Sequence, residues 1–205
     1  MMMRRTVLRT AGGALLGAAC ADVHRAVAAL DDGDAVSFVK RVGDRLVAVI
    51  NGPGSDSDKR AALTPIVDAA VDVDGVARFC LGRFWRTAGP EEQRQYVETF
   101  HAVLVNNIAH NMGDYKGVRF TVGRAQRRDQ DEVVATTIEL PDNKPSRVEW
   151  LIAEVGGGPK IEDMITEGVS LRVTERNDYA SFLASNGHNV RTLIDSLRRK
   201  LAAHA

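Results

Sequence analysis

Apolar residues recur along the first half of the chain at intervals of three and four, switch to alternation, and then return to the longer interval. The first spacing places side chains on one face of a helix and the second on one face of a strand. Over "DDGDAVSFVKRVGDRLVAVING", Val39, Val42, Leu46, Val49 and Ile50 share one face, with aspartates to cap the start and Asn-Gly-Pro to end it. Lys59 to Ala70 repeats the pattern through Leu63, Ile66 and Val67, with Val71 beyond and Pro65 expected to bend or shorten the helix. Asp72 or Asp74 is placed to cap a third short helix ending at Leu81. Pro90, followed by Glu91 and Glu92, opens a long fourth helix, because proline and acids both suit a first turn.

From Tyr115 the period becomes two. "GVRFTVGRAQ" puts Val118, Phe120 and Val122 on one face, and "EVVATTIEL", "RVEWLIAEV" and "KIEDMITEGVSLRV" continue as strands separated by polar or glycine-rich turns. Helical spacing then resumes with Thr174 as the expected cap, Tyr179, Phe182 and Leu183 inside and a stop at Asn186-Gly187. A last helix runs from about Val190 to Ala202, with Leu193, Ile194, Leu197 and Leu201 inside. Helices, then strands, then helices predict an α+β domain over residues 30–205, its antiparallel meander sheet covered on one face by the N- and C-terminal helices.

The N-terminus does not belong to this pattern. "MMMRRTVLRTAGGALLGAACA" joins Arg4, Arg5 and Arg9 to a short run of small apolar residues, which is the plan of an export signal. Cleavage is expected after Ala21, or as late as Ala28, and the paired arginines fit a twin-arginine route as well as the ordinary secretory one. Cys20 offers lipid attachment as a further option, although Gly17 stands where such signals usually carry leucine.

The whole chain holds 27 basic and 27 acidic residues. Loss of residues 1–21 would leave 24 and 27, a net charge of −3. No global field therefore draws in nucleic acid. With the signal removed, Cys80 would be the only cysteine left, so no internal disulfide is expected.

Catalytic chemistry finds few footholds. Cys80 lies within an apolar helical run and reads as packing. His101 and His110 are too far apart on one helix to share a metal, and no zinc, Walker or nucleophile-elbow motif is present. Glu162 and Asp163 are adjacent on a strand and point to opposite faces, so they read as salt-bridged or solvated rather than as an acid-base dyad. Gly156 to Pro159 reads as a hairpin loop. "RAQRR", Arg124 to Arg128, reads as a solvated strand end or a contact for an acidic partner. The larger apolar side chains are more telling. Phe79, Trp85, Val97, Phe100, Leu104 and Ile108 from helices, with Phe120, Trp150, Ile152, Ile161 and Ile165 from strands, are expected to converge between the two layers as a filled core or a lined cavity.

One stretch carries a resemblance. "DVDGVARFCLGRFWRTAGPEEQRQYVETF" resembles the signature region of the MlaC-type periplasmic phospholipid-carrier proteins, the toluene-tolerance auxiliary component family. The match lies in Ala77-Arg78, Leu81-Gly82, Trp85-Arg86 and Pro90-Glu91-Glu92-Gln93, with Phe100 beyond. "VEWLI" and the run from Lys160 to Leu201 resemble the family's ending, so the likeness covers roughly Asp34 to Leu201. Asn107, His110 and Met164 depart from the family's usual residues.

The resemblance implies a periplasmic carrier, with no cofactor and no catalytic step, that holds a phospholipid or hopanoid-like lipid in an apolar cavity. It would exchange that lipid between an inner-membrane ABC transporter complex and an outer-membrane lipoprotein complex. The eleven apolar residues named above are then the expected lining, and Arg83 and Arg86 the expected headgroup or partner contacts. Two other readings stand beside it: an exported small-molecule enzyme with Asp163 as a general base, and an interaction protein with a solid core.

Overall fold

A computed structural model describes residues 32–129, 131–141 and 144–203; the stretch expected to be an export signal, with its cleavage sites and Cys20, lies outside the described residues. The first helix, α1 (Asp32–Asn51), buries Ala35, Phe38, Val39 and Val42. The second, α2 (Asp56–Ala70), begins three residues before the expected start. Ser55 caps it, accepting from the Asp58 backbone N–H while the Asp58 carboxylate accepts from the Ser55 N–H. Pro65 does not end α2, which continues to Ala70. Both Pro65 and Ala61, whose carbonyl loses its helical donor, face solvent, where water can take the bond.

The third helix, α3 (Val73–Leu81), is capped by Asp72, which accepts from the Gly75 N–H. A 3₁₀ turn over Gly82–Arg86 leads to α4 (Pro90–Asn111). Gln93 holds that turn against the start of α4, donating through Nε2 to the Trp85 carbonyl at 2.7 Å and to that of Ala88 at 3.3 Å.

The sheet is a meander of β1 (Arg119–Arg128), β2 (Asp131–Glu139), β3 (Ser146–Val155), β4 (Gly158–Thr166) and β5 (Val169–Ser170), each strand antiparallel to its chain neighbour. Gly156 and Gly157 turn β3 into β4 with φ of +64° and +89°, a conformation that glycine adopts without strain. The last two helices are α5 (Leu171–Ser185) and α6 (Val190–Ala203). The class is the α+β architecture expected.

The expected start of α5 needs correction. Ser170, not Thr174, is its cap: Ser170 Oγ accepts from the Val173 N–H, and Thr174 lies in the first turn, donating to the Ser170 carbonyl.

Packing divides the interior into three parts. A helical core gathers α3 to α6 around Tyr96, whose hydroxyl donates to the Ala77 carbonyl at 3.0 Å, with Leu81, Leu183 and Ile194 fully buried beside it. A second cluster joins α1 and α2 to the sheet through Val134, Ile152 and Ile161. A third joins α2 to α4 through Leu63, Val67, Val105, Ala109 and Met112. In the second cluster the outer end of the Phe120 ring meets α1 at Gly43, where a Cβ would sit 2.0 Å from its Cζ. No side chain larger than hydrogen fits at Gly43 while the ring keeps that place.

Candidate functional site

The residues expected to converge are spread over these clusters. Phe79, Trp85, Val97, Phe100 and Leu104 belong to the helical core or its edge. Phe120, Trp150, Ile152 and Ile161 pack with α1 and α2. Leu104 and Ile108 adjoin the third cluster. Ile165 is half-buried on β4, in register with Glu149 and Ser170. Of the four residues expected on the inner side of α4 only Phe100 is buried; Val97, Leu104 and Ile108 are half-buried, the buried face runs through Tyr96, Val103 and Ala109, and its partners are other helices rather than the sheet.

Four of the expected residues do meet. Phe79, Arg83, Trp85 and Arg86 line a surface groove of about 560 Å³ where α3 and the 3₁₀ turn face α5, together with Gly75, Arg78, Gly82 and Arg176. Its floor is aromatic and its rim cationic. The Arg78 guanidinium lies 5.2 Å from the Trp85 ring, and those of Arg172 and Arg176 lie 4.6 and 4.9 Å from the Phe79 ring. Such stacking holds a guanidinium in place while leaving its N–H edge free to donate. Gly82 makes the close approach possible: it ends α3 at φ +58°, and a Cβ there would stand 3.3 Å from Arg176 Nε.

The charges differ in how they are answered. Arg172 Nη1 contacts Glu162 at 2.9 Å and its Nε lies 3.6 Å from Asp163. Among the described residues, no ion pair is formed by Arg78, Arg83, Arg86 or Arg176. A second groove, about 440 Å³, has the opposite character. Asp68, Asp72, Asp74 and Glu98 line it with Val97, His101 and Lys160; His101 Nε2 meets Asp68 Oδ1 at 2.8 Å and Lys160 donates to the Asp68 and Ala69 carbonyls.

Beneath the basic groove lies a closed polar corner. Asp163 accepts from Ser170 Oγ at 2.5 Å, from the Met164 N–H at 2.9 Å and from the Arg172 N–H at 3.1 Å. Glu162 and Asp163 are thus salt-bridged, as expected, but through one shared arginine. A carboxylate so occupied is committed to the N-terminus of α5, which is poor ground for a general base. Cys80 is buried alongside, its thiol donating weakly to the Arg172 carbonyl at 3.6 Å. Burial pushes that thiol up to about 12, with Glu175 and Asp163 adding to the effect. It is therefore a protonated packing group at neutral pH.

Elsewhere, "RAQRR" is exposed, with Arg127 reaching Glu132 at 3.7 Å and Arg128 reaching Glu149 at 3.6 Å. Among the described residues no cluster of three His, Cys, Asp or Glu could hold a metal. Arg78, Gly82, Arg172 and Arg176 went unassigned by sequence reasoning. Arg78 stood within the quoted motif, whereas the placement of α5 beside α3 has no local signature.

These features define an α+β binding domain that presents a basic, aromatic-floored groove beside a helical core. Residues 40–199 match the MlaC protein family, and the chain belongs to that family. It is similar to toluene tolerance protein ttg2D of Pseudomonas putida, 23% identical over 144 residues, or 69% of this chain; it spans 66% of that protein's length. Its fold is similar to that of a phospholipid-binding protein from Ralstonia solanacearum solved in complex with a phospholipid. There the TM-score is 0.74 at 23% identity, covering 83% of this chain and 98% of the other.

Proposed function

We propose that the protein is a periplasmic phospholipid carrier, exchanging lipid between an inner-membrane ABC-type complex and an outer-membrane lipoprotein complex. The observation that carries this reading is the family match across residues 40–199. The export-type N-terminus and the phospholipid held by the structural relative agree with it. A lipid with roughly 30 methylenes is kept out of water by about 24 kcal/mol, at about 0.8 kcal/mol per CH₂. A soluble carrier must therefore offer an apolar enclosure for the tails and leave the head in water.

In this reading the acyl chains enter where helices meet sheet. Phe120, packed with α1 and meeting it at Gly43, bounds that interior at the β1 edge of the sheet. Trp150, Ile152 and Ile161 continue the strand side of that interior with Phe120, while Val97, Phe100, Leu104 and Ile108 of α4 pack against other helices and would join the enclosure only where those helices part. Phe79 and Trp85 stand at its outer edge, with Arg83 and Arg86 toward the head. No bond is made or broken, so no catalytic group is required.

Native mass spectrometry of the mature protein purified without added lipid, followed by lipid identification after denaturation, tests this reading. One phospholipid per chain is the expected result, and a hopanoid-like lipid would keep the carrier but change the cargo. A bare protein mass that stays bare after incubation with phospholipid vesicles would overturn it.

A further inference from the structure

The lipid-carrier reading assigns the tails to the interior and leaves the cationic groove with only a loose role. The groove is more built than a chance surface cluster. Three of its guanidiniums, those of Arg78, Arg83 and Arg176, lie over aromatic faces and so are ordered before any ligand arrives. A positive-φ glycine leaves room for Arg176 to lie against the backbone. With Arg83 and Arg86 on the same wall, four cations surround a half-apolar floor and none forms an ion pair among the described residues. Forked guanidinium donors gathered in one groove suit a tetrahedral oxyanion, which accepts from two or more of them at once.

The surroundings favour an amphiphile over an acidic protein segment. Val169 on β5 and Leu171 and Val173 in the first turn of α5, the helix that supplies Arg176, stand 54, 45 and 43% exposed, and apolar tips beside cations match the boundary between headgroups and acyl chains. We infer that the groove between α3, the 3₁₀ turn and α5 is a phosphate site that takes the headgroup phosphate of a phospholipid. The inference rests on the carrier reading for the source of that phosphate, and not for the anion chemistry.

The test follows Trp85 fluorescence in the mature protein carrying Trp150→Phe, which leaves Trp85 as its only tryptophan. It is titrated in low salt with short-chain phosphatidylglycerol, inorganic phosphate and an oligoglutamate peptide. Phosphatidylglycerol should bind at least tenfold more tightly than inorganic phosphate, and Arg78→Gln with Arg176→Gln should weaken it at least tenfold. Arg199→Gln, on the exposed side of α6, should leave it unchanged. Equal binding by the double variant, or no response to either phosphate, would overturn the site. Tighter binding of inorganic phosphate would reassign it to the free ion, and tighter binding of oligoglutamate to a protein partner; either would overturn the lipid assignment. Co-purified lipid retained by the double variant separates failure of the groove from failure of the carrier reading.

Discussion

Phe79 has an arginine from α5 on its ring at two successive helical turns, and the two arginines live under different rules. Arg172 is drawn inward, its side chain 21% exposed, and it holds Glu162 and Asp163 at the N-terminus of α5. Arg176 is exposed, stacked on the same ring and without a carboxylate partner among the described residues. Residue type and ring are the same in both cases. What differs is whether the local backbone brings an acid within reach: the β4 to β5 turn does so for Arg172, and the glycine end of α3 does not for Arg176. The first arrangement serves the fold, and the second leaves charge available at the surface.

If that division is correct, alkali should attack the buried side first. The Cys80 thiol is pushed from 9.0 up to about 12, and burial also pushes the Tyr96 and Tyr179 phenols upward. The folded state then holds protons that the unfolded chain releases. Stability should be intact below about pH 9 and fall as pH rises from there toward 12. Cys80 alone accounts for on the order of 4 kcal/mol over that range. Urea midpoints measured between pH 8 and 11.5 should show the decline, with a shallower slope in Cys80→Ala.

Asp163→Ala breaks the corner directly, leaving the Ser170 hydroxyl and the Met164 and Arg172 backbone N–H groups without their acceptor and Arg172 with Glu162 alone. A loss of about 3–5 kcal/mol is expected from chemical denaturation. The paired arginines sharpen the contrast: Arg172→Gln should cost about 2–3 kcal/mol by taking the shared cation from Glu162 and Asp163, whereas Arg176→Gln should stay within about 0.5 kcal/mol of the parent. Equal costs would erase the distinction. Between these two falls Ser170→Ala, which removes a cap and one bond to Asp163 and should lower stability by about 1–2 kcal/mol.

Period and punctuation in the sequence locate the six α-helices and the four longer strands of the described residues, because each records its own buried face, but not the 3₁₀ turns at Gly82–Arg86 and Met112–Tyr115. Boundaries fail where a cap is supplied by tertiary contact. Ser170 and Thr174 are equally good caps on paper, and the decision belongs to Asp163, which folds back from β4 to accept at the start of α5. The site was half legible. Phe79, Arg83, Trp85 and Arg86 lie within eight residues, so one helix and one turn bring them together. Arg176 is far along the chain and reaches the groove only because α5 packs beside α3. Likewise, the stripe read along α4 holds Phe100 but not Tyr96, Val103 or Ala109, and a stripe does not name the surface that covers it.

The order of the sheet bears on how the protein assembles in time. Each of the five strands hydrogen-bonds to the one before or after it in the chain, so most of the sheet is made by closing short hairpins in succession. Chains rich in such local pairing search less conformational space before native contacts form, and they fold faster than those that must join distant strands. The slower events should be the return of α1 onto β1 and the parallel bridge between Val71 and Ile161, which join regions far apart in sequence. A sheet complete before its helical cover would give the chain a brief open state, with the Gly43 face of α1 and the Phe120 side of β1 not yet in contact.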